Sequence, residues 1–188
     1  MTSCATLWSG ASSGLTNPPR AADLTGSQAQ RRIRVEVERG GATDGPGSER
    51  IAGWVSAALE AVECHPARDL DVAVVLAEAA DIRRMNRDFR GKDKPTNVLS
   101  FPGGELAGLP GDAALLLGDI VLCPEVIAAE AGRQAKAPEH HWCHLCVHGA
   151  LHLAGYDHVE PQAASAMEAV ERKLLAGFGI ADPYLPVE

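Results

Sequence analysis

Residues 148–158, HGALHLAGYDH, hold three of the seven histidines of this 188-residue chain. His148 and His152 are four residues apart, a spacing that places two side chains on one face of a helix. Gly155 can take the left-handed conformation that ends a helix, after which the chain can turn back toward His158. This order predicts that a helix ends here and that three imidazoles meet beside its last turn.

Three neutral imidazoles are a typical ligand set for catalytic zinc, which keeps a fourth position open for water. The motif therefore predicts a metal site at His148, His152 and His158, although nickel, copper and iron also accept imidazole. The competing interpretation is a group of histidines without a metal. A ligand pair of His144 and His148 is disfavoured because His158 follows the helix end too closely to reach it. His144 is therefore assigned to packing or to a contact with a ligand.

Other residues of this helix and of the turn after it have more than one interpretation. Zinc proteases have a glutamate general base after the first histidine, whereas this chain has Gly149, which we expect to leave room for a bulky substrate. Cys143 and Cys146 lack the second cysteine pair of a structural zinc site and fall on the opposite helix face, so they are interpreted as core side chains. Asp157 could accept a hydrogen bond from a ligand imidazole or cap the turn.

The segments around this motif predict a single α+β domain in which a four-stranded mixed sheet packs with about five helices, a metallohydrolase-like architecture. Apolar and charged residues alternate in IRVEVE (33–38), as in a half-buried strand. Further strands are expected at 69–77, 95–102 and 115–123. A helix capped by Ser48 is expected to run to about Cys64 and another to begin at Pro124, and further helices are expected at about 79–89, 138–154 and 162–176.

The ends and the composition of the chain predict its environment. Residues 1–32 are rich in Ser, Gly, Thr, Ala and Pro, so we expect a disordered extension before a folded domain at 33–188. No apolar run approaches the length of a membrane span, and the N-terminus lacks the features of a secretory signal. Five irregularly spaced cysteines favour a reducing cytoplasm over a disulfide framework.

The charge distribution bears on the substrate. The chain carries a net charge of −8, but residues 83–94, RRMNRDFRGKDK, carry +4, so the remainder carries −12. A polyanion responds to the local potential and not to the net charge. The simpler interpretation is a solvated helix face followed by a charged turn. Together with an open metal and no protease-type base, this basic segment favours a phosphodiester substrate over a peptide.

Two segments resemble the bacterial YbeY endoribonucleases, also described as rRNA maturation factors. HGALHLAGYDH is similar to the metal motif of that family, and FRGKDKPTNVLSFP (89–102) is similar to its other hallmark. LLLGDIVLC (115–123) resembles the strand between them, and the resemblance covers about residues 33–185. It implies a single-strand-specific endoribonuclease that uses one zinc ion per chain, matures the 3′ end of 16S rRNA and acts in ribosome quality control. Its implied partners are single-stranded and ribosomal RNA and the ribosome or small-subunit proteins.

The resemblance also implies roles for individual residues. The ligands of the family fall on His148, His152 and His158, and its functional arginine falls on Arg90, which would hold the scissile phosphate. Lys92 and Lys94 are candidate contacts to the RNA backbone. The nucleophile would be zinc-activated water or the ribose 2′-hydroxyl. The alternatives are a zinc-dependent hydrolase of another substrate class and a non-catalytic ribosome assembly factor with structural zinc.

Overall fold

Alternating side chains along the strands build a sheet with two covered faces. The computed structural model describes residues 31–42, 44–65, 68–104, 110 and 113–185. In this part of the chain the strands are β1 (Ile33–Gly40), β2 (Leu70–Ala77), β3 (Val98–Pro102) and β4 (Leu115–Leu122). The helices are α1 (Ser48–Ala61), α2 (Ala79–Arg90), α3 (Pro124–Arg133), α4 (Pro138–Leu153) and α5 (Pro161–Gly177).

The four strands form one mixed sheet in the order β1-β2-β4-β3. β1, β2 and β4 are parallel, with Ile33 beside Leu70 and Leu70 beside Leu115. β3 runs antiparallel to β4, with Val98 opposite Leu122, and is therefore an edge strand of the described sheet. The predicted α+β domain with a four-stranded mixed sheet and five helices is confirmed for the described residues.

The larger part of the core lies on one face of the sheet. There, side chains of α1, α4 and α5 pack against alternate residues of β2 and β4, such as Val72, Val74, Ile120 and Leu122. The other face carries a smaller cluster in which Ile82 of α2 packs with residues that include Leu99 and Val121. Val98 of β3 belongs to the first cluster and the next residue, Leu99, to the second, so consecutive residues face different layers, as the pleat of a strand requires.

The predicted extension falls mostly outside the described residues, which begin at Arg31. The Arg31 guanidinium donates a hydrogen bond to the Cys64 carbonyl. The backbone N–H of Arg32 donates to Asp69 at 2.9 Å. The prediction of disorder before residue 33 stays a prediction. Among the described helices, none has both the length and the apolar character required to cross a bilayer.

Candidate metal centre

The end of α4 places the three predicted histidines together. The helix stops at Leu153, and Gly155 has a φ of +90°. The Gly155 N–H donates to the His152 carbonyl and the Tyr156 N–H donates to the Leu151 carbonyl, both at 3.0 Å. These two bonds form the Schellman motif that glycine favours at a helix end. The turn brings the following segment, and His158 with it, back beside the last helical turn.

The three imidazole rings converge on a common point. One ring nitrogen from each of His148, His152 and His158 lies within 4.8 Å of the others. The ring centroids are 4.6 Å apart for His148 and His152, 4.9 Å for His152 and His158, and 5.4 Å for His148 and His158. The predicted grouping of these rings is therefore present, while their role as ligands stays a prediction.

Hydrogen bonds determine which nitrogen of two rings faces the centre. His152 Nδ1 lies 3.0 Å from the Tyr156 carbonyl oxygen, which can only accept, so Nδ1 carries the proton. His148 Nδ1 lies 2.8 Å from a carboxylate oxygen of Glu171 and donates for the same reason. In the neutral rings both Nε2 atoms then present lone pairs toward the centre, which is the form that binds a metal.

The donor set fits a tetrahedral zinc ion. The two Nε2 atoms lie 3.1 Å apart, and two nitrogens on one tetrahedral zinc are about 3.3 Å apart for zinc–nitrogen bonds of about 2.0–2.1 Å. Two facing lone pairs at this distance repel each other unless a cation or a proton lies between them. Burial and the neighbouring rings of His148 and His158 lower the pKa of His152 to about 4, so a proton is disfavoured there, whereas a metal ion would satisfy both nitrogens.

Glu171 supports the site and was not predicted. It is completely buried in α5, four residues after Met167 and four before the equally buried Leu175. Burial by itself raises the pKa of Glu171, but contacts with His144, His148 and Tyr184 outweigh it and lower the pKa to about 2. The sequence signal was an acidic residue on the apolar face of a helix, where carboxylates are rare unless paired. The carboxylate is therefore ionised and orients the His148 ring.

His144 lies next to Glu171 and not in the cluster of three. Its Nε2 is 3.8 Å from Glu171 Oε2, an electrostatic contact beyond hydrogen-bond distance, and its ring packs edge-on against Tyr184. The Tyr184 hydroxyl donates to the same carboxylate. His144, His148 and Glu171 form a second group with metal-ligand geometry, but Glu171 already occupies His148 Nδ1. The contacts of His144 with Glu171 and Tyr184 agree with the sequence interpretation, which assigned it to packing or to a supporting contact.

Two residues near the motif have structural roles. Asp157 Oδ1 accepts the backbone N–H of His158 at 2.7 Å, so Asp157 caps the turn, one of its two predicted roles. Gly149 does not face a substrate, and the expectation that it leaves room for one was wrong. A Cβ at Gly149 would lie 2.9 Å from Ile120 Cγ2 and 3.3 Å from Ser100 Oγ. The missing side chain lets α4 pack closely on β4 and β3.

The cysteines belong to the core, as predicted for the pair on α4. Cys143 and Cys146 are fully buried, and burial raises the pKa of the Cys143 thiol to about 12 and that of Cys146 further. Neither thiol forms a reactive thiolate at neutral pH. The four cysteines in the described residues, which include Cys64 and Cys123, are free, while Cys4 lies outside them.

The basic segment divides into paired and unpaired cations. Three of its arginines bind acids: Arg83 Nε is 2.8 Å from Asp93, Arg84 Nη2 is 2.7 Å from Asp81, and Arg87 Nε is 2.8 Å from Asp88. The other three cations are Arg90, Lys92 and Lys94, and all are exposed. Within the described part of the chain their side chains form no hydrogen bond or ion pair, either with an acid or with a histidine of the cluster.

The backbone that carries the unpaired cations is anchored. Asn86 is buried in α2, and its side-chain amide donates to the Lys94 carbonyl at 2.8 Å. The Lys92 N–H donates to the Asn86 carbonyl at 3.2 Å. The helix ends at Gly91 in the left-handed conformation. The turn after α2 therefore has a defined path, whereas the Lys92 and Lys94 side chains extend into solvent.

Comparison with known proteins identifies the family. A family model described as Endoribonuclease YbeY matches residues 42–179, which include all six predicted site residues. A protein named Endoribonuclease YbeY from Halorhodospira halophila is 49% identical over 139 residues, covering 74% of this chain and 88% of its own length. One from Azorhizobium caulinodans is 44% identical over 158 residues, covering 83% and 98%.

Two further similarities complete the comparison. A protein of the same name from Alkalilimnicola ehrlichii is 52% identical over 132 residues, covering 70% of this chain and 77% of its own length. A solution structure from Thermotoga maritima is 24% identical, covers 81% of this chain and 99% of its own, and superposes with a TM-score of 0.49. From the family match and the identities, the chain belongs to the endoribonuclease YbeY family.

Proposed function

We propose that this chain is a zinc-dependent endoribonuclease that cleaves single-stranded RNA. The observation that carries the proposal is the convergence of three imidazoles, two of which have their metal-binding nitrogens selected by hydrogen bonds to the Tyr156 carbonyl and Glu171. Membership of a family named for endoribonuclease activity supports RNA as the substrate.

The ligand count supports a catalytic metal over a structural one. Among the residues that the structure describes, the ligand group at the end of α4 contains His148, His152 and His158 and no fourth side chain. Structural zinc sites are closed by four protein ligands, whereas catalytic sites have three. A zinc ion bound there would supply a Lewis acid that activates water or polarises a phosphate oxygen.

The residues of the chain would share the remaining work. Glu171 and the Tyr156 carbonyl hold two imidazoles in the required tautomer. Arg90, free of any acid in the described residues, would bind the scissile phosphate through two N–H groups and offset negative charge in the transition state. Lys92 and Lys94 would contact neighbouring phosphates. The nucleophile is water or the ribose 2′-hydroxyl, and a 2′,3′-cyclic phosphate product identifies the latter.

The cellular role that we propose follows the family resemblance. We place the protein in the cytoplasm, acting on the 3′ end of 16S rRNA and in ribosome quality control, with the ribosome or small-subunit proteins as partners. The free thiols of the described cysteines agree with a reducing compartment. The unpaired cations supply the local positive charge that an RNA partner requires.

The decisive experiment combines metal analysis and RNA cleavage on one purified sample. We expect about one zinc per chain, cleavage of unstructured RNA but not of a duplex or a peptide, loss of cleavage with a chelator, and recovery with zinc. Chelator-resistant cleavage would contradict the metal's catalytic role. Bound zinc without RNA cleavage would favour a structural metal in an assembly factor, and peptide cleavage would favour another hydrolase class.

A further inference from the structure

An exposed aromatic side chain lies next to the unpaired cations. Phe89 precedes Arg90 at the end of α2 and is 71% exposed. Its ring meets the Phe101 ring of β3 edge-on, with centroids 5.0 Å apart and planes at 69°. We call Phe89, Phe101, Arg90, Lys92 and Lys94 the Phe89 patch.

Phe89 contributes little to the core. The cluster on this face of the sheet includes Ile82, Leu99 and the partly buried Phe101, but Phe89 is not among its members. A large apolar side chain that remains mostly in water gains little folding energy. The edge-on contact with Phe101 nevertheless holds the ring at a defined place. Phe89 thus presents an exposed aromatic surface to a ligand, next to Phe101.

The charge around Phe89 is complementary to a polyanion. The acids of the surrounding segment, Asp88 and Asp93, are bound by Arg87 and Arg83. The cations that follow Phe89 have no such partners among the described residues. A protein partner that covered an apolar side chain would not require three uncompensated positive charges beside it. Exposed aromatics within a positive surface are the arrangement by which proteins bind single strands, because every base can stack on a ring.

β3 connects the Phe89 patch to the histidines. Phe101 is on the α2 side of this edge strand, and the preceding Ser100 is on the α4 side, where its hydroxyl donates to the Gly149 carbonyl at 3.2 Å. Gly149 directly follows His148. An RNA strand that contacts both the metal centre and Phe89 would therefore cross the edge of the sheet at β3.

We infer that Phe89 is a base-stacking residue for a nucleotide that flanks the cleavage site. This inference rests on the proposed function, because it assigns to the same substrate a second point of attachment. Arg90, Lys92 and Lys94 bind the backbone, and the Phe89 ring stacks on a base without reading its identity. The surface selects unpaired strands because a base within a duplex cannot turn its face to a side chain.

The test measures RNA affinity with full-length protein carrying its metal. The probes are a short fluorescent 2′-O-methyl RNA, shown by gel to remain intact, and the same backbone with abasic positions. Phe89→Ala should raise the Kd for the base-containing strand about tenfold and leave that for the abasic strand unchanged. Phe89→Trp should retain the wild-type Kd because it keeps a stacking ring.

Phe178 provides the matched control. It is an aromatic residue with 40% exposure beyond the end of α5, flanked by Gly177 and Gly179 instead of cations, so Phe178→Ala should not change either Kd. Equal Kd values for Phe89→Ala and Phe178→Ala would overturn the stacking role and leave the proposed function intact. An equal loss on the abasic strand would also overturn it. Absence of RNA binding by the wild type would overturn both.

Discussion

His148 and His152 of α4 are held by hydrogen bonds to other parts of the fold, whereas Arg90, Lys92 and Lys94 extend into solvent. Glu171 and the turn after α4 orient two imidazoles before any ligand arrives. The basic turn is anchored through its backbone by Asn86 and through the Asp93 carboxylate by Arg83, but not through its cationic side chains. The comparison shows two ways to prepare a site. Ligands for a metal need sub-ångström positioning, while long cationic side chains can adjust to a flexible polyanion and lose side-chain entropy when they bind.

The largest effect should come from removing a central imidazole. His152→Ala should reduce both bound zinc and RNA cleavage to background, because two remaining imidazoles cannot form the three-ligand site. Metal analysis and a cleavage assay on the same preparation measure this. The control is His140→Ala, an exposed histidine of α4 outside the cluster. Wild-type cleavage by His152→Ala would show that the site lies elsewhere.

The next largest effect should come from removing an unpaired cation, and it should exceed the effect of removing a paired one. Arg90→Ala should lower kcat/KM for single-stranded RNA about 10²-fold, the loss typical for a group that stabilises transition-state charge, with bound zinc unchanged. The kcat/KM of Arg90→Lys should lie between those of the wild type and Arg90→Ala, since lysine keeps the charge but cannot form two parallel hydrogen bonds to phosphate. Arg83→Ala, which removes an arginine already bound to Asp93, is the control. Equal losses at both positions would mean that only total charge matters.

A smaller effect should follow from changing the buried partner of His148. Glu171→Gln should weaken zinc binding about 10- to 100-fold, because a neutral amide is a weaker acceptor for the His148 Nδ1 proton. Competition with a fluorescent zinc chelator measures the affinity. Glu168→Gln, one turn earlier in α5 and paired with Arg172 at 2.8 Å, should leave it unchanged. If both variants bind zinc as the wild type does, Glu171 does not position His148.

The smallest effect concerns the packing that supports α4. Gly149→Ala should lower the free energy of unfolding by about 1 kcal/mol, since the clash with Ile120 outweighs the better helix propensity of alanine. Gly53→Ala in α1, where nothing lies within 4 Å of the added Cβ, should raise it by about 1 kcal/mol. Denaturant unfolding compares the two. Stabilisation by both substitutions would show that α4 is not tightly packed at Gly149.

Local patterns in the chain predicted most of the elements. The alternation in IRVEVE predicted β1, which the structure extends to Gly40, and the other strand and helix ends moved by only a few residues. The position of Gly155 predicted both the end of α4 and the return toward His158. These features depend on residues close in sequence, where spacing determines which side chains share a face.

Features that depend on distant elements were missed. Glu171 meets His148 across 23 residues. Its position on the apolar face of α5 marks it as an acid that needs a partner, but no local pattern identifies His148 as that partner. The sequence suggests that Gly149 leaves room for a substrate, because it does not show that β3 and β4 pack against this residue. In the basic segment 83–94, the sequence likewise does not distinguish the arginines that form ion pairs from the cations that do not. In each case the sequence does not show which side chain of another element contacts the residue.

The sequence by itself determined the succession of strands and helices along the chain and the grouping of three histidines at one helix end. Helix periodicity and a glycine stop act within a few residues. Only the tertiary structure decided which ring nitrogens face the centre, which cations remain unpaired and which face of α4 needs a glycine. Those properties arise from contacts between elements far apart along the chain, where packing and hydrogen bonding select one partner among many.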